Sequence, residues 1–542
     1  MTDNSPSLRS KAKALLSLHS WSGIILGMLL YAVIFTGTVA VVADEIGEWS
    51  NSNYHKDLLV ASDVYATVSR LADQTPVEYL DEISVYENDR QQLVYFFHTH
   101  KQNPSGDMDE YGVQYLVNSQ GQTISKETGF GSEIFAQDDT YALSRFLVSI
   151  HTELHIPSPW GLILTGILGL AMLIASVSGF MIHRHLFTDM FSIRKQRDGQ
   201  PLKRDSHTVA GTWSIPFAIL LAFTGSFFSF STAFGLPAMG VVAFGGDQEA
   251  LMYALVGEQQ HKSEAPMTSA NFTSMVRDAA ARQSSVPSYL SISHMGTESA
   301  SLLAFFMPNE GKVGYEQLVY DGTNGDFIEH KPLVGTVPSV SSEILSLIYP
   351  IHFGTFAGLM SKIVWISLGV AACYVTITGL QLYAHRNENK NQKTANAWRW
   401  FSRMCVWGFY GLPLCSLASA FGFFVSGNMG ASQSLWTQYS FVIAAALISL
   451  VSLAMKNLKQ LKILLLTGNG IFCLILPVLR FSSSHVGWLE ALNYNMMDML
   501  FIDFALLTCA LWCFIALHKK CQQESQDSNV WTPTLSDVEV RK

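Results

Sequence analysis

The chain has 542 residues, 49% of them hydrophobic and only 14% charged, with a formal net charge of −9. That composition excludes an ordinary soluble enzyme and a nucleic-acid binder, and it places the chain among polytopic α-helical membrane proteins. The seven cysteines all lie in or beside apolar stretches, which excludes a disulfide framework in the large loops. Cys509 and Cys513, one helical turn apart, read as packing residues.

Eight apolar stretches are long enough to cross a ~30 Å hydrocarbon core, which takes about 20 helical residues. They fall near 20–43, 158–183, 208–232, 357–384, 403–425, 436–455, 461–480 and 497–517. The first lacks a clear small-residue cleavage site and is too long for the apolar region of a signal peptide, so it is expected to remain as a span. Basic residues cluster before span one and after spans two, four, six and eight, whereas the loops 426–435 and 481–496 hold no Lys or Arg. Positive loops stay inside. The expectation is a bacterial inner-membrane protein with both termini cytoplasmic and two large periplasmic loops.

The chain then divides into a cytoplasmic N-terminus (1–19), a first span (20–43), an outer module (44–150), a second span with its flanks (151–185) and a basic cytoplasmic loop (186–206). A third span (207–232), a second outer module (233–350), a fourth span (351–385) and a cytoplasmic loop (386–402) follow. A four-span extension (403–517) and a cytoplasmic tail (518–542) complete it.

The outer loops share one pattern. In the first, 60–74 reads as an amphipathic helix, and ISVYE, QLVYFFH and YGVQYLVNSQGQTIS read as strands with a turn at 118–121. In the second, 267–282 reads as a helix, and SYLSISH, SLLAFFM and YEQLVYDGTNGDFIE read as strands with a turn at 321–325. Each is a small α+β module that needs a neighbour or the membrane surface to cover its sheet. Segment 44–145 carries eighteen acidic and six basic residues, which reads first as a solvated face. His98 and His100 share one strand face. With His294 of the other module they are either surface residues or the start of a metal site.

The spans repeat too. LHSWSGIILGMLLYAVIFTG and SHTVAGTWSIPFAILLAFTG each place Gly four residues after a histidine and Thr-Gly beginning seventeen after it: His19, Gly23, Thr36-Gly37 and His207, Gly211, Thr224-Gly225. Spans two and four match from His151 through Ser178-Gly179 to His185, and from His352 through Thr378-Gly379 to His385. Imidazole is a common metal ligand, and ionisable groups near a bilayer are costly unless used.

By orientation, His19, His207, His183, His185 and His385 lie at the inner edge and His151, His155 and His352 at the outer edge. The simplest use is bis-histidine haem, held non-covalently as b-type because no Cys-x-x-Cys-His occurs. Two parallel copies related by an axis along the membrane normal would pair His19 with His207 and His151 with His352, giving two b haems and an outward path for electrons. His155, four residues from His151, is the rival outer ligand; His183, His185 and His385 are weaker candidates. Arg145, Arg184 and Lys362 are candidates for haem propionates. The Thr-Gly pairs read as packing points. If span two were one helix, His151 and His183 would stand about 48 Å apart, far for a direct hop, although Pro157 and Pro159 argue against a continuous helix.

Those segments, with IHFGTFAGLMSKIVWISLGVAACYVTITGLQLYAHR and the strand–turn segments YLVNSQGQTI and LVYDGTNGDFI, resemble the PepSY-associated transmembrane helix family over residues ~10–386. The resemblance implies a haem-containing inner-membrane ferric-siderophore reductase. Electrons would cross two b haems, reduce Fe(III) held by a siderophore outside and release Fe(II). It also implies that His19, His151, His207 and His352 match the family's recurrent histidines. Spans five to eight are an addition. With no dinucleotide fingerprint in the short inner loops, the donor is expected to be a quinol or a separate protein. Catalytic side chains beyond the ligands are not identified. The competing readings are a non-redox PepSY-type binding or regulatory protein and a haem or siderophore permease.

Overall fold

The computed structural model describes residues 8–51, 58–88, 90–104, 106, 108–182, 191, 200–247, 250–251, 254, 265–307, 314–335, 339–388 and 394–529. It contains seven helices long and apolar enough to cross a membrane, plus one bent pair that passes the same test together. Helices α1 (Leu8–Ile25) and α2 (Gly27–Ala40) form that pair and meet at 69°. The first span is therefore broken at Leu26 rather than straight. A Cβ on Gly27 would lie 2.8 Å from Leu380 Cδ2, so glycine at the bend lets a distant helix close on it.

After α3 (Ala43–Asn51) the chain makes α4 (Val64–Ala72) and strands β1 (Glu82–Glu87), β2 (Leu93–Gln102), β3 (Met108–Val117) and β4 (Thr123–Phe130). It returns through α5 (Gly131–Gln137) and α6 (Ala142–Glu153) to the span α7 (Trp160–Ile182). The third span, α8 (Gln200–Phe230), runs on through a π turn at Ser231–Gly235 into α9 (Leu236–Phe244). Together they make a 44-residue apolar helical run, about 66 Å long and twice the thickness of a bilayer core. The run thus ends well past the expected boundary at 232.

The segment after α9 gives α10 (Phe272–Gln283) and β5 (Tyr289–Ser293), β6 (Ser301–Phe306), β7 (Glu316–Asp321) and β8 (Phe327–Lys331), then α11 (Val340–Phe353) and the span α12 (Gly358–Glu388). The strands and turns follow the alternation in the sequence closely. Their assembly was not foreseen. All eight strands form one antiparallel sheet, ordered β4-β3-β2-β1-β5-β6-β7-β8, and β1 pairs with β5 so that Ser84 faces Ser291 and Tyr86 faces Tyr289. Two modules that each expose an edge strand remove both edges by pairing them. One face of the joint sheet carries Ile83, Val85, Tyr95, Phe97, Leu290, Ile292, Leu302 and Ala304, which pack under Val68 and Leu71 of α4 and Phe272 and Val276 of α10 in a single core.

The chain divides into two compact units, Met1–Tyr383 and Ala384–Lys542, with the boundary in the last turns of α12. The second unit holds α13 (Ala395–Val406), a π turn at Trp407–Gly411 and α14 (Leu412–Asn428), which make one apolar run, then α15 (Gln433–Ala454), α16 (Leu458–Ser484), the short α17 (Trp488–Asn493) and α18 (Met497–Asn529).

Candidate functional site

Four histidines of the first unit make the same contact four times. Each sits on a Ser/Thr-Gly pair of a different helix, the pairs that the sequence marked only as packing points. His19 on α1 places Nδ1 2.9 Å from the Ala175 carbonyl on α7, and a Cβ on Gly179 would lie 3.3 Å from its Cε1. His151 on α6 reaches back to α2, with Nδ1 3.0 Å from the Val33 carbonyl; a Cβ on Gly37 would be 2.6 Å from its Cε1.

The second copy repeats this. His207 on α8 lies 3.0 Å from both Val375 O and Thr378 Oγ1 of α12, over Gly379. His352 on α11 lies 2.7 Å from Thr224 Oγ1 of α8, over Gly225. A Cβ on either glycine would be 3.2 Å from the ring above it.

The hydrogen bonds decide the tautomer. A carbonyl only accepts, so the Nδ1 of His19, His151 and His207 must donate. Thr224 gives its own hydroxyl proton to Leu220 O, 2.8 Å away, so it accepts from His352 Nδ1. In a neutral imidazole this leaves the lone pair on Nε2, the form in which histidine binds metals.

The pairing expected from the repeat is partly visible as distance. The rings of His151 and His352 are 6.5 Å apart, centre to centre, with 26° between their planes. Two imidazoles on one iron, each nitrogen about 2 Å from it, have ring centres roughly 6 Å apart. Phe228 and Phe353 stand edge-on to His352 at 5.4 and 5.5 Å. His19 and His207 line one cavity, whose other walls include Gly179, Ala175, Gly211 and Ala218. Small residues of this kind leave room for a flat ligand between helices. By donor type, tautomer and separation of ring centres, His151 and His352 meet what a bis-histidine haem asks of its ligands. His19 and His207 have the donors and a shared cavity.

The remaining candidates fare differently. His155 does not share a helical face with His151: α6 ends at Glu153, and Leu154 and His155 adopt positive φ of 51° and 57°. The exposed His155 ring turns to Ser149 Oγ at 3.2 Å. His183, His185 and Arg184 lie outside the described residues. His385 is exposed on α12. Arg145 is engaged with the carbonyls of Phe135, Ala136 and Asp138. Lys362 pairs with Glu45 at 2.6 Å and Asp44 at 3.7 Å. Both cations are taken up by these partners rather than offered to a propionate.

The separation expected between layers shrinks as well. His151 is not on span two; it belongs to α6, which turns back at Leu154 and lies against α2. Along α8, His207 and the seat at Thr224 are seventeen residues apart, about 26 Å.

The second face of the sheet is polar. It carries Ser84, Tyr86, Phe96, His98, His100, Glu110 and Tyr289. His98, 1% exposed, takes a 3.0 Å hydrogen bond to Ser84 Oγ through Nε2, and Ser84 lies 2.6 Å from Tyr289 Oη. Its Nδ1 has no partner among the described residues. Burial, with His100 nearby, pushes its pKa down to about 4. Burial and then Glu82 hold the Glu110 carboxyl above its ordinary value. No group of three or more His, Cys, Asp or Glu is arranged to hold a metal among the described residues. His98 and His100 are T-shaped neighbours 6.1 Å apart, and His294 pairs instead with Asp81 at 3.0 Å.

Residues 16–386 match the PepSY-associated TM region along their whole length. The chain belongs to this family. The PepSY-associated region ends where α12 ends, so all four histidine seats and the eight-stranded sheet lie inside it and spans five to eight lie beyond it. The chain is also 22% identical over 253 residues, 44% of its length, to the uncharacterized protein PA4219 of Pseudomonas aeruginosa. That match covers 63% of the Pseudomonas protein.

Proposed function

We propose that this PepSY-associated membrane protein is a haem-carrying oxidoreductase of the bacterial inner membrane that reduces a ferric siderophore at its periplasmic side. The observation that carries the reading is the His151–His352 pair: two imidazoles 6.5 Å apart, each held by Nδ1 on a helix that provides a glycine beneath the ring. Haem iron, when bound, supplies one-electron chemistry that no amino-acid side chain of this chain offers. The chain contributes position. Val33 O and Thr224 Oγ1 hold the rings and keep the lone pair on Nε2. Gly37 and Gly225 let the Cε1 edges of the imidazoles close on α2 and α8, and Phe228 and Phe353 stand edge-on beside His352. His19 and His207 would hold a second haem nearer the basic loops.

Orientation follows from those loops. The Lys and Arg clusters support a cytoplasmic side for these loops and both termini, and a periplasmic side for the sheet. One electron per iron, drawn from a quinol or a separate protein donor, converts Fe(III) to the more weakly held Fe(II).

A dithionite-minus-oxidised difference spectrum of purified protein tests this. Sharp low-spin b-type bands are expected, and His151→Ala or His352→Ala should remove one haem and leave the other. A flat spectrum after expression with ample haem sinks the reading in favour of a non-redox binding protein or a permease.

A further inference from the structure

The polar face of the sheet lines a cavity. Beneath it, α9 and the π turn before it form the floor of a chamber of about 1100 Å³, at the upper end of volumes that hold small ligands. Thr232, Leu236, Pro237, Gly240 and Val241 supply the floor, and Tyr86, Phe96, Phe135 and Tyr289 supply aromatic walls. The floor belongs to the same helical run as the outer histidine seat. Thr232 comes seven residues after Gly225, roughly 10 Å of axial rise.

The charge of the lining is one-sided. Asp81, Asp109 and Glu110 face the chamber, with His100 and His294, and no Lys or Arg is in the lining among the described residues. Arg145, stacked on the Phe135 ring at 4.9 Å, is engaged with three backbone carbonyls. Lys101 lies over the Tyr79 and Tyr111 rings. The roof also contains an incomplete polar network. Tyr289 and Ser84, both in the lining, lead by hydrogen bonds to the buried His98, whose Nδ1 has no partner among the described residues.

Low-dielectric walls lined by one sign of charge concentrate ligands of the other sign. Aromatic faces add to that for a cation, whereas a polyanion would meet Asp109 and Glu110, with Asp81 taken up by His294 and no Lys or Arg in the lining among the described residues.

We propose that this chamber is the substrate site and that it takes a positively charged ferric chelate in preference to a polyanionic one. The proposal rests on the reductase reading for the word substrate, but its test does not need electron transfer. Gallium(III) replaces iron(III) without being reduced, so binding can be read alone.

Full-length protein in detergent would be titrated by calorimetry with gallium chelates of three charges: a monocationic linear trihydroxamate, a neutral cyclic trihydroxamate and a trianionic tris-catecholate. The cationic chelate should bind at least tenfold more tightly than the trianion, with the neutral one between them. Glu110→Gln and Asp109→Asn should each weaken the cation about three- to tenfold and leave the neutral chelate within twofold, and the cation's advantage should shrink with added salt. Circular dichroism and the haem spectrum of the same preparations report on folding. Equal or tighter binding of the trianion overturns the proposal, as does an unchanged cation affinity in both variants. A normal haem spectrum with either result leaves the reductase reading standing. Charge-ordered binding to a protein without haem bands keeps the chamber and removes the reductase.

Discussion

Both units bury an ion pair, Lys362–Glu45 in the first and Arg480–Asp503 in the second, but they differ in what else their apolar helices hold. In Met1–Tyr383, four imidazoles are held by one nitrogen and keep a lone pair on the other. In Ala384–Lys542, Arg480 and Asp503, 1% and 0% exposed, are turned on each other at 2.8 Å. Arg480 also reaches Val486 O at 2.7 Å, and Trp488 Nε1 donates to the same Asp503 oxygen at 2.9 Å. That network ties the short α17 segment to α16 and α18. A buried ion pair held by local partners is a fastener, whereas a histidine with one nitrogen fixed keeps the lone pair of the other. The repeat ends where the second kind of chemistry ends.

The sharpest way to break this comparison is spectroscopic. His151→Ala and His352→Ala should each abolish one haem signal, while Arg480→Met with Asp503→Leu should leave both signals unchanged. If the paired replacement in the second unit removes a haem band, the division of labour is wrong.

Next comes the seat itself. Gly37→Ala would put a methyl 2.6 Å from His151 Cε1, closer than ring and methyl can approach, and should lose most of the outer haem. Gly225→Ala and Gly379→Ala, with contacts of 3.2 Å, ask for shifts of a few tenths of an ångström and should move the band position or midpoint potential while retaining haem. Equal effects at all three would show that the seats do not control ligation.

On the fastener side, Arg480→Ala alone strands a buried carboxylate. It should destabilise the second unit by about 3–5 kcal/mol, read as a lower melting temperature in detergent, with the haem spectrum retained at low temperature. A melting temperature equal to that of the parent would show the pair to be dispensable.

The smallest effect belongs to the sheet. His98 titrates near pH 4 when folded and near 6.5 when unfolded. Below pH 6.5 the unfolded chain binds a proton that the folded one refuses. Stability is therefore full above pH 6.5 and falls until pH 4, by on the order of 3 kcal/mol. Hydrogen exchange of β1, β2 and β5 should show that slope, and His98→Gln should flatten it.

Much of this was legible along the chain. Hydropathy located the spans to within a few residues at most ends, because crossing a bilayer is a property of contiguous residues. Alternation located the strands, and the spacing of His19, His151, His207 and His352 singled out the residues that the fold gathers into a pair and a shared cavity. The Ser/Thr-Gly pairs were visible as well, but their use was not. Each lies 114 or more residues from the histidine it holds, and serves a ring from another helix. The signal was there in the equal counts: four histidines and four small-residue pairs.

Sequence by itself determined the membrane class, the spacing of the four histidines and the strand segments, since these follow from local composition and periodicity. Tertiary structure decided the rest. It broke the first span at Leu26, detached α6 from span two so that His151 drops beside α2, and drew two small sheets into one across β1 and β5. The physical reason is common to all three. Each depends on which surfaces meet after the chain has folded: Leu380 against Gly27, an imidazole against Gly37, one bare strand edge against another. No window of adjacent residues contains both partners.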